Sequence, residues 1–328
     1  MDQRHRILLY TLDGSMRVAE EFLAEHGLAS QFELVSQAHE PFTFPSEDLL
    51  AGCEAVLGEM TPVRGPQVDA LARAGVRLYC SMSIGLNHLD MPRMAELGVR
   101  VTNCPGYCAD DVSVHAMALM LDLMRQVTLS NRDVRAGLWN PNLHYTMHRP
   151  QGQTMGLVFF GHIARKVVPL AQALGMHVLV WAPTKTAEEI AAAGAEKVPT
   201  LDDLLVRSDV VSLHCPLVPE TQGLIGAREL ALMKPTAFLI NTARGPVVDE
   251  EALADALEAG TIQGAGLDVL ADESEGRRSQ RLIQNPRCIV TPHSAFVTQE
   301  SRDTLVRMSM ESVVELLVEG REPERLCR

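Results

Sequence analysis

Two α/β domains, each built on an open parallel sheet, are predicted by three features of the chain. Short apolar runs alternate with amphipathic stretches through the first hundred residues, and the alternation starts again at Met155. Strands separated by helices pair in parallel through right-handed crossovers. The length of 328 residues exceeds one ordinary core and suits two domains of about 150 residues each.

In the first series the strand-like runs are Ile7–Tyr10, Phe32–Val35, Ala55–Gly58, Val76–Cys80 and Val99–Thr102. Between the first two, Met16–His26 reads as a helix, with Val18, Phe22 and Leu23 on one face and Gly27 ending the run. Asp110–Gln126 reads as a long buried helix: acidic at its start, apolar nearly all round, basic near its end. Its methionines Met117, Met120 and Met124 lie at helical spacing and serve packing. Residues 131–153, with Trp139, Pro141, His144, Tyr145, His148 and Pro150, read as an irregular surface arm. The second series places strands near Leu157–Phe160, His177–Trp181, Val210–Leu213, Ala237–Asn241, Gly264–Val269 and Cys288–Thr291. A last helix, from about Thr298 to Glu319, follows Pro292-His293.

Composition narrows the class of function. A net charge of −13 counts against nucleic acid or an anionic membrane surface as partner, though one buried arginine can still dominate a cleft. The seven cysteines are odd in number and scattered, so free thiols in a reducing compartment are expected, and no metal site. The start, MDQRHRILLY, has no signal-peptide pattern, and no apolar run approaches the roughly 20 residues of a membrane span. A cytoplasmic protein is expected.

Thr154–Pro183 reads as strand, glycine-containing turn, helix, strand, the context in which a dinucleotide fingerprint carries meaning. The three glycine slots hold Phe159, Gly161 and Ala164. Gly161 lets the backbone approach a pyrophosphate, and the helix after it offers free N–H groups. Phe159 departs from the pattern, because a Cβ resists positive φ and the ring would crowd the diphosphate. The plain alternative is a βαβ unit that binds nothing. At the end of the next strand an acidic residue would accept the ribose 2′-hydroxyl of NAD. Ala182 stands there, followed by Thr184 and Lys185, which could receive the 2′-phosphate of NADP. Lys185 as a solvated surface charge is the competing view.

Three later segments put polar residues at strand ends, where ligands bind in open α/β sheets. Asn241–Gly245 carries Arg244, whose rigid guanidinium fork suits a carboxylate, although a lone arginine more often makes a structural salt bridge. The second segment runs from Gly266 through Asp268 to Glu273, and the third is Thr291-Pro292-His293.

With these segments the chain resembles the D-isomer-specific 2-hydroxyacid dehydrogenase family, which includes phosphoglycerate, glycerate and hydroxypyruvate enzymes and the C-terminal-binding-protein corepressors. The resemblance runs from about Val76 to the C-terminus, through Ser83–Asp90, Val101–Val112, Leu213–Thr221, Asn241–Gly245, Leu267–Glu273 and Thr291–Ala295. It implies two Rossmann-like open-sheet domains. A flavodoxin-like substrate domain takes residues 1–103 plus 294–328, a nucleotide domain of residues 104–293 is inserted into it, and the cleft lies between them. The family's substrate arginine falls on Arg244, its acid-orienting glutamate on Glu273 and its proton-carrying histidine on His293. The loop whose backbone holds the substrate carboxylate falls on Ser83, Ile84 and Gly85.

For NAD(H) or NADP(H), the implied contacts are Phe160, Gly161, His162, Ile163, Ala182, Thr184, Lys185, Cys215, Pro216, Thr242, Ala243, Asp268 and His293, with Asp268 on the nicotinamide amide. The activity implied is interconversion of a small 2-oxo acid and its D-2-hydroxy acid by hydride transfer, His293 moving the proton. A glutamate in the Glu273 slot argues against formate oxidation. The resemblance also implies a homodimer paired through the nucleotide domain, using Asp110–Gln126 and Asn131–Pro150. The rival reading is a nucleotide-sensing corepressor or scaffold, for which Phe159 and Ala182 would mark a degraded cofactor site. His115, on the buried helix, reads as a satisfied core residue, and His144 and His148 as surface display.

Overall fold

The computed structural model describes residues 4–141, 144–274 and 276–327. Asn142 and Leu143 of the expected arm lie outside the described residues, as do residues 1–3, Glu275 and Arg328. The chain forms two compact units, Met1–Tyr107 with Thr298–Arg328, and Cys108–Val297.

The first unit holds β1 (His5–Thr11), β2 (Phe32–Ala38), β3 (Ala55–Gly58), β4 (Leu78–Ser81) and β5 (Arg100–Thr102). They pair in parallel in the order β2-β1-β3-β4-β5. The alternation of side chains along a strand explains the continuous apolar run in β1. Ile7 and Leu9 join Phe22, Leu57, Leu305 and Met310 in one core, while Leu8 and Tyr10 join Val56, Leu71, Tyr79 and Met94 in the other. The helix Gln299–Leu317 returns to this unit, started by a capping box between Thr298 and Ser301.

The second unit holds β6 (Thr154–Val158), β7 (His177–Trp181), β8 (Glu196–Lys197), β9 (Val210–Leu213), β10 (Phe238–Asn241), β11 (Gly264–Leu267) and β12 (Cys288–Val290). Their order is β12-β11-β10-β9-β6-β7-β8, again parallel. The chain moves from β6 to one edge through β7 and β8, then crosses back to β9 and works to the other edge. The point between β6 and β9 is where a doubly wound sheet opens a crevice for ligands. The buried helix Ala109–Arg125 covers one face, as its apolar composition requires.

The arm differs from expectation at its start. Gln126 turns left-handed at φ 52°, and a second helix, Val127–Arg135, follows before the irregular stretch. That helix buries only Leu129 and turns Val127 and Val134 to solvent, so its apolar residues do not form the inward stripe that a periodicity reading looks for. No helix among the described residues is long and apolar enough to cross a membrane.

Candidate active site

The polar strand ends of the second unit all lie on the C-terminal edge of its sheet. β10, β11 and β12 are neighbours there, so the loops that follow them are adjacent.

Asp268 follows β11 and is 1% exposed. Its carboxylate accepts the Thr291 hydroxyl at 2.5 Å, the Ser294 N–H at 2.9 Å and the Ala295 N–H at 2.9 Å. Its backbone carbonyl accepts the His293 N–H at 2.8 Å. A buried charge needs such partners, and these hydrogen bonds all come from the segment carrying His293, while His115 Nε2 stands 3.5 Å from the same carboxylate. His115 completes the group, its Nε2 3.0 Å from Thr291 Oγ1. With the hydroxyl hydrogen given to Asp268, that ring nitrogen acts as donor. His115 is thus a satisfied residue of the buried helix.

These bonds hold His293 at φ 53°, in the left-handed region that a side chain disfavours. His293 Nδ1 lies 2.9 Å from Glu273 Oε2, and the two side chains keep 30% and 25% exposure. The Phe296 ring meets the imidazole edge-on at 6.0 Å. Arg244, half-buried, leaves β10 beside Asn241, whose side chain bonds the Ala243 N–H and the Arg244 carbonyl at 3.0 Å each. The next residue has to be glycine: a Cβ on Gly245 would stand 2.0 Å from the Leu270 carbonyl. This close approach joins the Arg244 loop to the loop leading to Glu273.

At the other end of the crevice, Gly161 begins the helix His162–Ala173 with extended backbone and no side-chain cap. A Cβ built on Gly161 would meet nothing within 4 Å, so open space faces the uncapped N–H groups. Phe159 adopts φ 73°, the conformation expected of the glycine it replaces. Its N–H donates to the Trp181 carbonyl at 2.8 Å, and its ring packs edge-on against Trp181 at 5.7 Å. Phe160 is buried, with the Arg165 guanidinium 4.6 Å over its ring. His162 is exposed and Ile163 half-buried.

After β7, Ala182 is 1% exposed, Thr184 is exposed and Lys185 half-buried. Cys215 is buried beyond β9, its thiol pushed up to about 11 by that burial, and the Pro216 carbonyl accepts the Thr221 hydroxyl at 2.6 Å. Thr242 is 8% exposed, and its buried hydroxyl has no partner among the described residues. An uncapped helix start under open space after β6 and an orphaned hydroxyl after β10, two strands away along the same sheet edge, fit a dinucleotide. Among the described residues no three His, Cys, Asp or Glu side chains converge as metal ligands.

In the first unit, Ser83–Gly85 follows β4. The Ser83 carbonyl accepts the Cys104 N–H at 2.9 Å, that of Ile84 the Asn103 side chain at 2.8 Å, and that of Gly85 the Ser83 hydroxyl at 2.9 Å. The Ile84 and Gly85 N–H groups have no acceptor among the described residues. Such a pair of donors suits an anion.

Comparison with known proteins gives the context for this geometry. The model of the NAD binding domain of the D-isomer specific 2-hydroxyacid dehydrogenases matches residues 117–295, more than half of the chain. The glyoxylate reductase of Thermococcus litoralis is 34% identical over 245 residues, 73% of each chain. The hydroxypyruvate reductase of Blautia hydrogenotrophica is 34% identical over 247 residues, 74% of this chain and 76% of that one. A crystal structure of a Thermus thermophilus protein, 32% identical, matches with a TM-score of 0.83, covering 98% of this chain and 100% of its own. Nothing in these likenesses supports the corepressor reading. The chain belongs to the D-isomer specific 2-hydroxyacid dehydrogenase family, and is an oxidoreductase that interconverts a 2-oxo acid and a D-2-hydroxy acid with a nicotinamide cofactor.

Proposed function

We propose that the chain acts on a short 2-oxo acid, of the size of glyoxylate or hydroxypyruvate, with Arg244, Glu273 and His293 carrying the chemistry. The observation that carries this reading is the 2.9 Å contact between His293 Nδ1 and Glu273 Oε2. A carboxylate only accepts, so Nδ1 keeps its hydrogen and the proton to be exchanged with substrate resides on Nε2. The bound nicotinamide supplies or takes the hydride. His293 gives its Nε2 proton to the oxygen of the reduced carbonyl, a step contributing about 10²–10⁴ in rate. Arg244 binds the substrate carboxylate and stabilises charge developing on the ketone oxygen. The Ile84 and Gly85 N–H groups hold the same carboxylate, with Ser83 fixing their turn.

For the cofactor we assign the diphosphate to Phe160–Ile163, the ribose side to Ala182, Thr184 and Lys185, and the remaining contacts to Cys215, Pro216, Thr242, Ala243 and Asp268. The Asp268 carboxylate has a second task in holding the His293 segment. The substrate-handling part is assigned to residues 1–103 with 294–328, and the nucleotide part to 104–293. Purified protein offered NADH or NADPH with glyoxylate, hydroxypyruvate and pyruvate tests the reading. Turnover giving D-configured product from one of the first two acids, at about 10⁴ M⁻¹s⁻¹ or faster, supports it. A panel with no turnover, on a protein that binds nucleotide, overturns it.

We also assign a homodimer formed through the nucleotide part. Val127, Val134, Leu138 and Trp139 are 59%, 49%, 58% and 89% exposed, apolar surface that a partner would cover. Light scattering should give twice the monomer mass, and a monomer at micromolar concentration counts against this. All seven cysteines are free thiols, which suits the cytoplasm as the working compartment.

A further inference from the structure

The first unit has a crevice of its own. Its chain runs from β1 to β2 on one side and returns to β3 on the other, so the strand order reverses between β1 and β3. Ligands of open α/β sheets bind beyond the carboxyl ends of the strands at such a reversal. A cleft of about 120 Å³ lies there. Thr11 ends β1, Asp13 and Ser15 stand in the loop after it, and Glu59 and Met82 directly follow β3 and β4. Arg302 enters from the helix Gln299–Leu317. All six line the cleft within one compact unit, and the chemistry assigned to Arg244, Glu273 and His293 uses none of them.

The charges around this cleft are unequally partnered. Arg17 lies 3.0 Å from both oxygens of Glu21 and 3.1 Å from both of Asp303, and the Gln299 side chain donates to Asp303 at 2.6 Å. Those groups satisfy one another. Glu59 is 4% exposed, and one of its oxygens accepts the Leu12 N–H at 2.9 Å. The other, Oε1, is buried with no partner among the described residues. Arg302 Nε is buried and equally unpartnered, and a terminal nitrogen of the same guanidinium comes only within 3.9 Å of Asp13 Oδ2. Buried polar atoms are seldom left so, and two of opposite charge lining one space call for a ligand that complements both. Burial pushes the Glu59 carboxyl above its ordinary range, against the Leu12 N–H and Arg302, so a cation beside Oε1 is what the cleft lacks.

We infer that this cleft binds a small α-amino acid as its zwitterion, with the ammonium between Glu59 and Asp13 and the carboxylate on Arg302. An ammonium brings three donors and no acceptor, which suits two carboxylates and the hydroxyl of Ser15. A carboxylate accepts two parallel bonds from one edge of a guanidinium. A simple amine would leave Arg302 unsatisfied, and a simple carboxylate would meet the charges of Glu59 and Asp13. Val18 and Val306 give the cleft an apolar wall for a short side chain. Met82 is buried in the cleft lining and precedes Ser83, so the bound amino acid sits beside the turn assigned to the substrate carboxylate. The inference itself is independent of that assignment.

Calorimetric titration of the full chain with glycine and with L-alanine tests it. At least one should bind with a dissociation constant of about 1 mM or tighter. Acetate and methylammonium, which each carry half of the zwitterion, should bind at least about tenfold more weakly. Glu59→Gln and Arg302→Gln should each weaken the amino acid about tenfold. Lys166→Gln, in the other unit, should leave its affinity unchanged. If Glu59→Gln does not fold, Arg302→Gln still decides, because that side chain is 33% exposed. No heat from either amino acid at about 20 mM overturns the inference. So does acetate binding as tightly as glycine, or an affinity unmoved by Arg302→Gln.

Discussion

Phe159 and His293 are both side-chain-bearing residues in the left-handed region, each just past the end of a strand of the same sheet. The strain at such a position is of order 1–3 kcal/mol. Their surroundings differ. His293 is held by its own N–H, by two further N–H bonds from Ser294 and Ala295 to Asp268, and by Glu273 at its ring. Phe159 has one backbone bond to Trp181 and one ring contact with the same residue. At His293 the strain sets the direction of the imidazole, and several polar groups are committed to keeping it there. At Phe159 the strain keeps the turn before Gly161 in a glycine-like conformation, offset by one backbone bond and ring packing on Trp181. The fingerprint is therefore a statement about backbone conformation first and residue type second.

Substitutions can break this comparison in several places. The largest effect after His293 itself should come from Arg244→Lys. The planar fork is lost, kcat/KM should fall about 10²–10³-fold, and the nucleotide dissociation constant should not move. Asp268→Asn follows. An amide has one acceptor oxygen where three donors now converge, so one or more buried N–H groups lose their partner. About 1–3 kcal/mol of stability should go, together with about 10- to 100-fold in kcat, as seen by denaturant melts and steady-state assays. An Asp268→Asn enzyme with normal kcat would mean that His293 does not depend on this network.

The finest test compares alanine with glycine. At ordinary positions alanine is the more stable of the two, but left-handed backbone reverses the order by about 1 kcal/mol. Phe159→Gly should therefore melt above Phe159→Ala, and His293→Gly above His293→Ala. Alanine melting higher at either site would show that no strain is stored there.

Candidate residues were legible in the sequence where a polar side chain follows a strand end. Arg244, Glu273 and His293 stand at such places, and the hydrogen bond between the last two is what their pairing in the sequence anticipates. Other features were not legible, for identifiable reasons. β8 is two residues at a sheet edge, too short for any periodicity. Val127–Arg135 turns Val127 and Val134 outward and buries only Leu129, too little for an inward face to mark it as a helix. Asp268 was visible as a residue, but its engagement with Thr291, Ser294 and Ala295 needs two strand ends brought side by side.

The most direct test of the account is a single-turnover reduction of the preferred 2-oxo acid by wild-type and His293→Gln protein, each saturated with reduced nucleotide. The account predicts equal nucleotide affinity, with a rate for the variant lower by about 10²–10⁴-fold. A His293→Gln protein that reduces the acid within a few-fold of the wild-type rate would contradict it, because the proton would then come from elsewhere.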